Sequence, residues 1–201
     1  MRRSSLLAAL LRAVALAAPL MAQAACPPAG HSRASLDALK AARWRVDDAA
    51  VRQPLALGLA DCLADPDPAL RDGVAFEALQ AWMRGRLLDT ATVQALRTRL
   101  MATLAAPADG AGFAQPFAAL VLAEVARVDR VQPYLDASGR AALVDAGTRY
   151  LAGVRDYRGF DAAEGWRHGV AHGADLMLQL SLNPQLQPAQ AQSLLDAIAS
   201  Q

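Results

Sequence analysis

Apolar residues recur at three- and four-residue intervals through most of the chain, and the rhythm breaks at proline, glycine and acidic clusters. Residues 25–34 hold Pro27, Pro28 and Gly30 and read as an irregular lead-in. Ser35 is placed to cap a short helix through Arg43. Residues 54–64 either open on Pro54 or extend a helix begun near Asp48. The run Asp65-Pro66-Asp67-Pro68 ends that helix and caps the next, predicted over 68–84, with Ala75, Phe76, Leu79, Trp82 and Met83 as its apolar positions. Further helices are predicted over 91–105, capped by Thr90, from Pro116 to Val128, over 139–155, over 165–181, and from Pro188 to Ala199. Residues 106–112 and 156–165 read as loops, and Pro184 ends the helix before the last.

The elements add up to an all-α chain, an antiparallel array of seven or eight helices with short connections. Composition agrees. Leucine and alanine dominate, Ile198 is the single isoleucine and aromatics are 5%, which is poor material for strands. No linker divides residues 35–201, so they read as one helical domain. The segment from Leu63 to Leu79 looks like one unit of a HEAT-type repeat, two helices joined through a proline turn with a charged residue just inside the second. No second copy at a fixed period is visible, so the expected architecture is a short, degenerate HEAT-like α-solenoid.

Residues 1–24 depart from the amphipathic pattern. Arg2 and Arg3 precede an apolar run from Leu6 to Leu20, and Ala22-Gln23-Ala24 gives a small-x-small cleavage site. That is the layout of a secretory signal peptide, with a run too short and too interrupted to span a membrane. The expected location is periplasmic or secreted, with no stable membrane insertion after cleavage. Cys26, just behind the site, raises a lipoprotein as a rival, but Gln23 stands where a lipidation site carries an aliphatic residue. The leader takes Arg2, Arg3 and Arg12 with it, leaving 17 basic against 19 acidic residues and a net charge of −2. A surface so balanced does not steer toward nucleic acid. Cys26 and Cys62, an even pair in an oxidising compartment, are disulfide candidates.

Some polar residues sit against the pattern. On a wheel of residues 165–181, His168, His172, Asp175 and Gln179 fall within an arc of about 60° on an otherwise apolar helix. His-x-x-x-His places two imidazoles one turn apart, as a metal would need, with Asp175 or Glu164 as a third ligand. Gly169, however, occupies the position where a zinc protease carries its glutamate. Gly169 and Gly173 point to close packing by a neighbouring helix or by Trp82 or Trp166. On the 68–84 helix, Asp72 shares a side with Phe76, Leu79 and Met83 and is expected to be buried and paired, with Arg71 at the edge of that face. The loop from Arg155 to Asp161 adds Asp156 and Arg158 just before the histidines.

Three blocks together resemble the bacterial family called domain of unknown function 2785. They are Asp67-Pro-Ala-Leu-Arg-Asp-Gly-Val-Ala-Phe, Phe113-Ala-Gln-Pro-Phe-Ala-Ala-Leu-Val-Leu-Ala, and the long run from Asp156 through Trp166-Arg-His-Gly-Val-Ala-His to Leu176. The resemblance spans most of 45–182. It departs at Gln115-Pro116, where the family pattern has Arg-Ser. It implies a helical fold and no activity.

The function that best suits these features is a binding or interaction module. Its polar cleft would be lined by the His168/His172/Asp175 face, with Arg71, Asp72, Asp156, Arg158 and Glu164 converging on it, and would take a small molecule or peptide without a cofactor. The alternatives are a metal-assisted hydrolase using His168, His172 and Asp175 around zinc, and a structural protein whose polar cluster is a buried network.

Overall fold

The computed structural model describes residues 26–201. The expected leader, 1–24, lies outside them. Helix α1 spans Arg33–Ala41 and α2 spans Ala49–Leu59, which tightens into a 3-10 turn over Ala60–Ala64. Helix α3, Pro68–Leu70, runs through a π segment, Arg71–Phe76, into α4, Glu77–Arg84. Then come α5 (Thr90–Ala105), α6 (Ala114–Val131), α7 (Ala137–Gly153), α8 (Gly169–Ser181) and α9 (Pro188–Ala199). Between α7 and α8 lies a small antiparallel hairpin, β1 (Phe160–Asp161) and β2 (Gly165–Trp166), pairing Phe160 with Trp166 and Asp161 with Gly165. The described residues are all-α apart from this hairpin.

Helix starts follow the short polar residues, displaced slightly from where the pattern put them. Ser32 rather than Ser35 caps α1, with Ser35 closing a reciprocal capping box. Asp48 caps α2, so Pro54 lies inside it, and Asp89 caps α5, so Thr90 is its first helical residue. Asp caps also open α3 and α7, from Asp67 and Asp136.

Helix α6 is the axis of the core. Phe117, Ala118, Val121, Leu122 and Val125 are buried along it, and it packs most extensively on α8 and then on α5 and α4. Cys26 is bonded to Cys62 across a separation of 36 residues, tying the lead-in to the end of α2. Trp82 is wholly buried and donates from its indole nitrogen to the Trp44 carbonyl at 2.7 Å. Helices α7 and α8 cross closely because glycine lets them. A Cβ on Gly173 would meet Leu151 at 2.9 Å, and one on Gly147 would meet Met177 at 2.9 Å. The close packing expected at Gly173 therefore comes from α7 and not from a tryptophan. Lower on the same bundle, Asp129 is 1% exposed and accepts from Arg140, Asn183 and the Tyr134 and Leu135 amides. Burial works to raise its carboxyl, but those donors together hold it below the usual range.

Candidate functional site

The 68–84 rod departs from a regular helix where the chemistry is densest. In the π segment the turn is one residue wider. That shifts the register, so Arg71 points inward and Asp72 rotates toward the edge. Arg71 is wholly buried, whereas the Asp72 side chain keeps 29% of its exposure. The expectation of a buried Asp72 with Arg71 at the rim is thus reversed, because a 100° wheel does not hold through a π turn.

Arg71 spends its guanidinium on backbone. Nη1 donates to the Asp65 carbonyl at 2.9 Å and to Pro66 at 3.3 Å, and Nη2 donates to Glu164 at 2.7 Å. Its Nε lies 2.7 Å from Asp72 Oδ1 as an ion pair, with the N–H not aligned for a hydrogen bond. Burial raises the Asp72 carboxyl above its usual pKa, against the pull of Arg71 and of the Trp166 amide. The Arg71 guanidinium also lies 3.8 Å from the centre of the Phe113 ring, and Arg167 covers that ring at 4.5 Å. Arg167 is buried too, donating to the Ala111 carbonyl at 2.9 Å and to Glu164 at 2.8 Å. Gly165 permits this arrangement. Its φ is +76°, and a Cβ there would sit 2.8 Å from Pro68 and 2.9 Å from Arg71 Nη2.

The predicted helix over 165–181 begins only at Gly169. Gly165 and Trp166 belong to the hairpin, and His168 is the N-cap of α8 with φ +51° and ψ 38°. His168 and Arg167 extend the hairpin by donating their amides to Arg158 and Gly159 carbonyls at 3.3 and 3.2 Å. The wheel that placed His168 beside His172 therefore does not apply, although the left-handed turn still brings the rings to 5.8 Å. A ladder of rings results, running from surface to core. Exposed Phe160 lies 4.8 Å from Trp166, Trp166 is 3.9 Å from His168, and His172 packs edge-on to buried Phe117 at 5.0 Å. Arg71 closes the inner end, 4.9 Å from Phe117. His172 is 8% exposed, and its Nδ1 has no hydrogen-bond partner among the described residues. Burial, with the charges of His168 and Arg71, pushes its pKa down to about 4, against the pull of the Pro116 carbonyl.

The other expected members are placed as follows. Glu164 joins through its carbonyl to Arg71 and through its carboxylate to Arg167. Asp156 and Arg158 pair with each other at 2.5 Å on the far side of the loop, against Gly112, and that pairing holds the Asp156 carboxyl low. Asp175 is exposed, one turn beyond His172. Burial of its inner edge and the charge of Glu124 raise its carboxyl, while His168 opposes them. Among the described residues no three His, Cys, Asp or Glu side chains converge as a metal would require, so His168, His172 and Asp175 do not form one set of ligands.

The histidine face does not line the main cleft. A cleft of about 610 Å³ lies on the other side of the 154–169 segment, between the 106–112 loop, the start of α6 and the end of α7. Gln115, Pro116, Arg149, Tyr150, Arg155, Asp156, Arg167 and Gly169 are among its walls. His168 instead lines a shallower groove of about 390 Å³ with Asp156 and Arg158. Sequence reasoning missed Arg149, Tyr150 and Arg167, which sit within ordinary helical or charged runs. It also missed Phe113 and Phe117, which read as plain core.

A family model described as protein of unknown function (DUF2785) matches residues 86–201, more than half of the chain. The protein belongs to the DUF2785 family. In this DUF2785 chain the matched stretch holds the hairpin, both ladder histidines and every wall of the large cleft, whereas Arg71 and Asp72 precede it. Of the three blocks that carried the resemblance, the second and third fall inside the match and the first, Asp67 to Phe76, falls outside. No curated protein and no solved structure matches the chain.

Proposed function

We propose that this DUF2785 protein is an exported helical binding module whose ligand site is the cleft between the 106–112 loop, the N-terminal turn of α6 and the end of α7. The observation that carries the reading is the construction of that cleft. Its volume of about 610 Å³ suits a small ligand, and it has both apolar and polar walls. The wall formed by Arg167 is anchored from behind by the Arg167–Phe113–Arg71 stack and the Glu164 contacts. Polar groups fixed in this way present a preorganised surface.

In this reading the histidine ladder, with Arg71, Asp72 and Glu164, is the frame of the site. Arg71 also reaches back to the turn that precedes it, the role a charged residue plays inside the second helix of a HEAT-type unit, which supports a HEAT-like array. Export is supported by the leader pattern and by the Cys26–Cys62 bond. The bond also favours a soluble protein over a lipoprotein, because a sulfur in a disulfide cannot also carry a lipid thioether.

The test is a fragment screen on the isotopically labelled mature protein, read by amide chemical shifts. Hits should concentrate on Gly112, Gln115 and Gly153. Hits confined to the groove of Arg86 and Tyr134, or to the His168 groove, would overturn the cleft assignment.

A further inference from the structure

The charges around the cleft are unequal once internal pairing is counted, and we infer from this that its ligand is a small organic anion with an apolar body. The inference rests on the cleft assignment proposed above. Two carboxylates line the cleft, and both are already engaged. Asp109 accepts from the amides of Gly112, Phe113 and Ala114 at 3.1 to 3.4 Å. Asp156 is held by Arg158 through three contacts of 2.5 to 3.0 Å. Of the three arginines, Arg167 is paired with Glu164. Arg149 and Arg155 enter no ion pair among the described residues. Arg155 uses Nη1 on the Ala152 and Val154 carbonyls at the end of α7, which leaves Nε and Nη2 for a ligand.

Two guanidiniums without an ion-pair partner therefore face a cleft in which one acid, Asp156, is ion-paired and the other, Asp109, is turned onto backbone amides, which leaves an excess of positive charge for a ligand. A guanidinium fork matches a carboxylate or phosphate in two-point geometry. Leu104, Pro116 and Val154 supply apolar surface in the same cleft, which an inorganic ion would leave uncovered. The ligand class is a monoanion or dianion that places its charge at Arg149 and Arg155 and its carbon body on those side chains.

A charge series on one skeleton tests this. 4-Phenylbutyrate, 4-phenylbutanol and 4-phenylbutylamine would be titrated into the labelled full mature protein, with inorganic phosphate as competitor at fixed ionic strength. The expected result is that the butyrate moves the Gly112 and Gly153 amides with at least tenfold higher affinity than the alcohol. The amine should bind more weakly than either, and phosphate should displace little of the butyrate. Arg149→Gln and Arg155→Gln should each reduce the butyrate-to-alcohol ratio severalfold; both side chains are exposed, so the fold should tolerate the changes. Cleft binding by the alcohol or amine that equals or exceeds the butyrate would overturn the anion inference and leave the cleft assignment standing. Displacement by phosphate as efficient as by butyrate would overturn the apolar body. Failure of all three compounds to move the cleft amides would overturn the inference and count against the cleft as well.

Discussion

Acidification should destabilise this protein through His172, and the size of the effect follows from where the ring sits. The imidazole is 8% exposed, edge-on to Phe117, with His168 and Arg71 as its charged neighbours. Its pKa falls from an ordinary 6.5 to about 4 in the fold. A histidine depressed in this way binds fewer protons folded than unfolded between those two values. Stability is therefore constant above pH 6.5 and is lost as the pH falls toward 4. Between pH 7 and pH 4.5 the loss attributable to this one group is about 2 kcal/mol. Asp72 and Asp175, whose carboxyls are raised, act in the opposite sense, so the wild-type profile alone does not isolate the histidine. Comparison with His172→Phe does. Phenylalanine keeps a ring against Phe117 and abandons a buried nitrogen that has no partner. Urea unfolding at half-unit steps from pH 7 to 4.5 should show the variant losing about 2 kcal/mol less than wild type over that range. Parallel profiles, differing by under about 0.5 kcal/mol, would mean that His172 is not held neutral by burial.

The register shift at the π segment predicts unequal costs for neighbouring residues. Arg71→Ala should cost about 3–5 kcal/mol, because it removes a fully buried guanidinium together with three hydrogen bonds to carbonyls and its packing on Phe113, whereas Asp72→Ala should cost about 1–2 kcal/mol. Equal losses in urea unfolding would contradict the inward placement of Arg71. Reduction of the Cys26–Cys62 bond should destabilise by roughly 3–4 kcal/mol in the chain-entropy account, and alkylation without reductant should add no mass to the native protein. Two alkyl groups on the unreduced chain would show the bond to be absent. Mass spectrometry of protein from the native envelope fraction should find Ala25 as the first residue; retained Met1, or a diacylglyceryl adduct on Cys26, would refute the leader cleavage.

The hydrophobic period and the punctuation by proline, glycine and Asp or Ser caps were enough to determine an all-α chain and most of its helices, because those signals are local and each acts within a turn or two. The same local logic exposed Arg71, Asp72, Glu164, His168 and His172 as polar residues out of place, and the structure does bring them around one aromatic ladder. Tertiary contact decided which way they face. Arg71 turns inward through a π turn because Phe113 and the Glu164 carbonyl, both distant in sequence, join two carbonyls of the preceding turn in rewarding it there. Gly165 and Trp166 lie in a hairpin instead of the predicted helix, with Gly165 at φ +76°, outside helical geometry, and pressed against Pro68 and Arg71. Asp156 pairs with Arg158 along the groove beside His168, and Asp175 is left exposed, facing the like charge of Glu124. The cleft was illegible for a related reason. Its walls come from residues 104 to 169 in five separate stretches, each unremarkable alone. Whether its charges are free depends on short-range pairings, Asp156 with Arg158 two residues on and Glu164 with Arg167 three residues on, whose geometry is set by a loop and hairpin that no helical period announces.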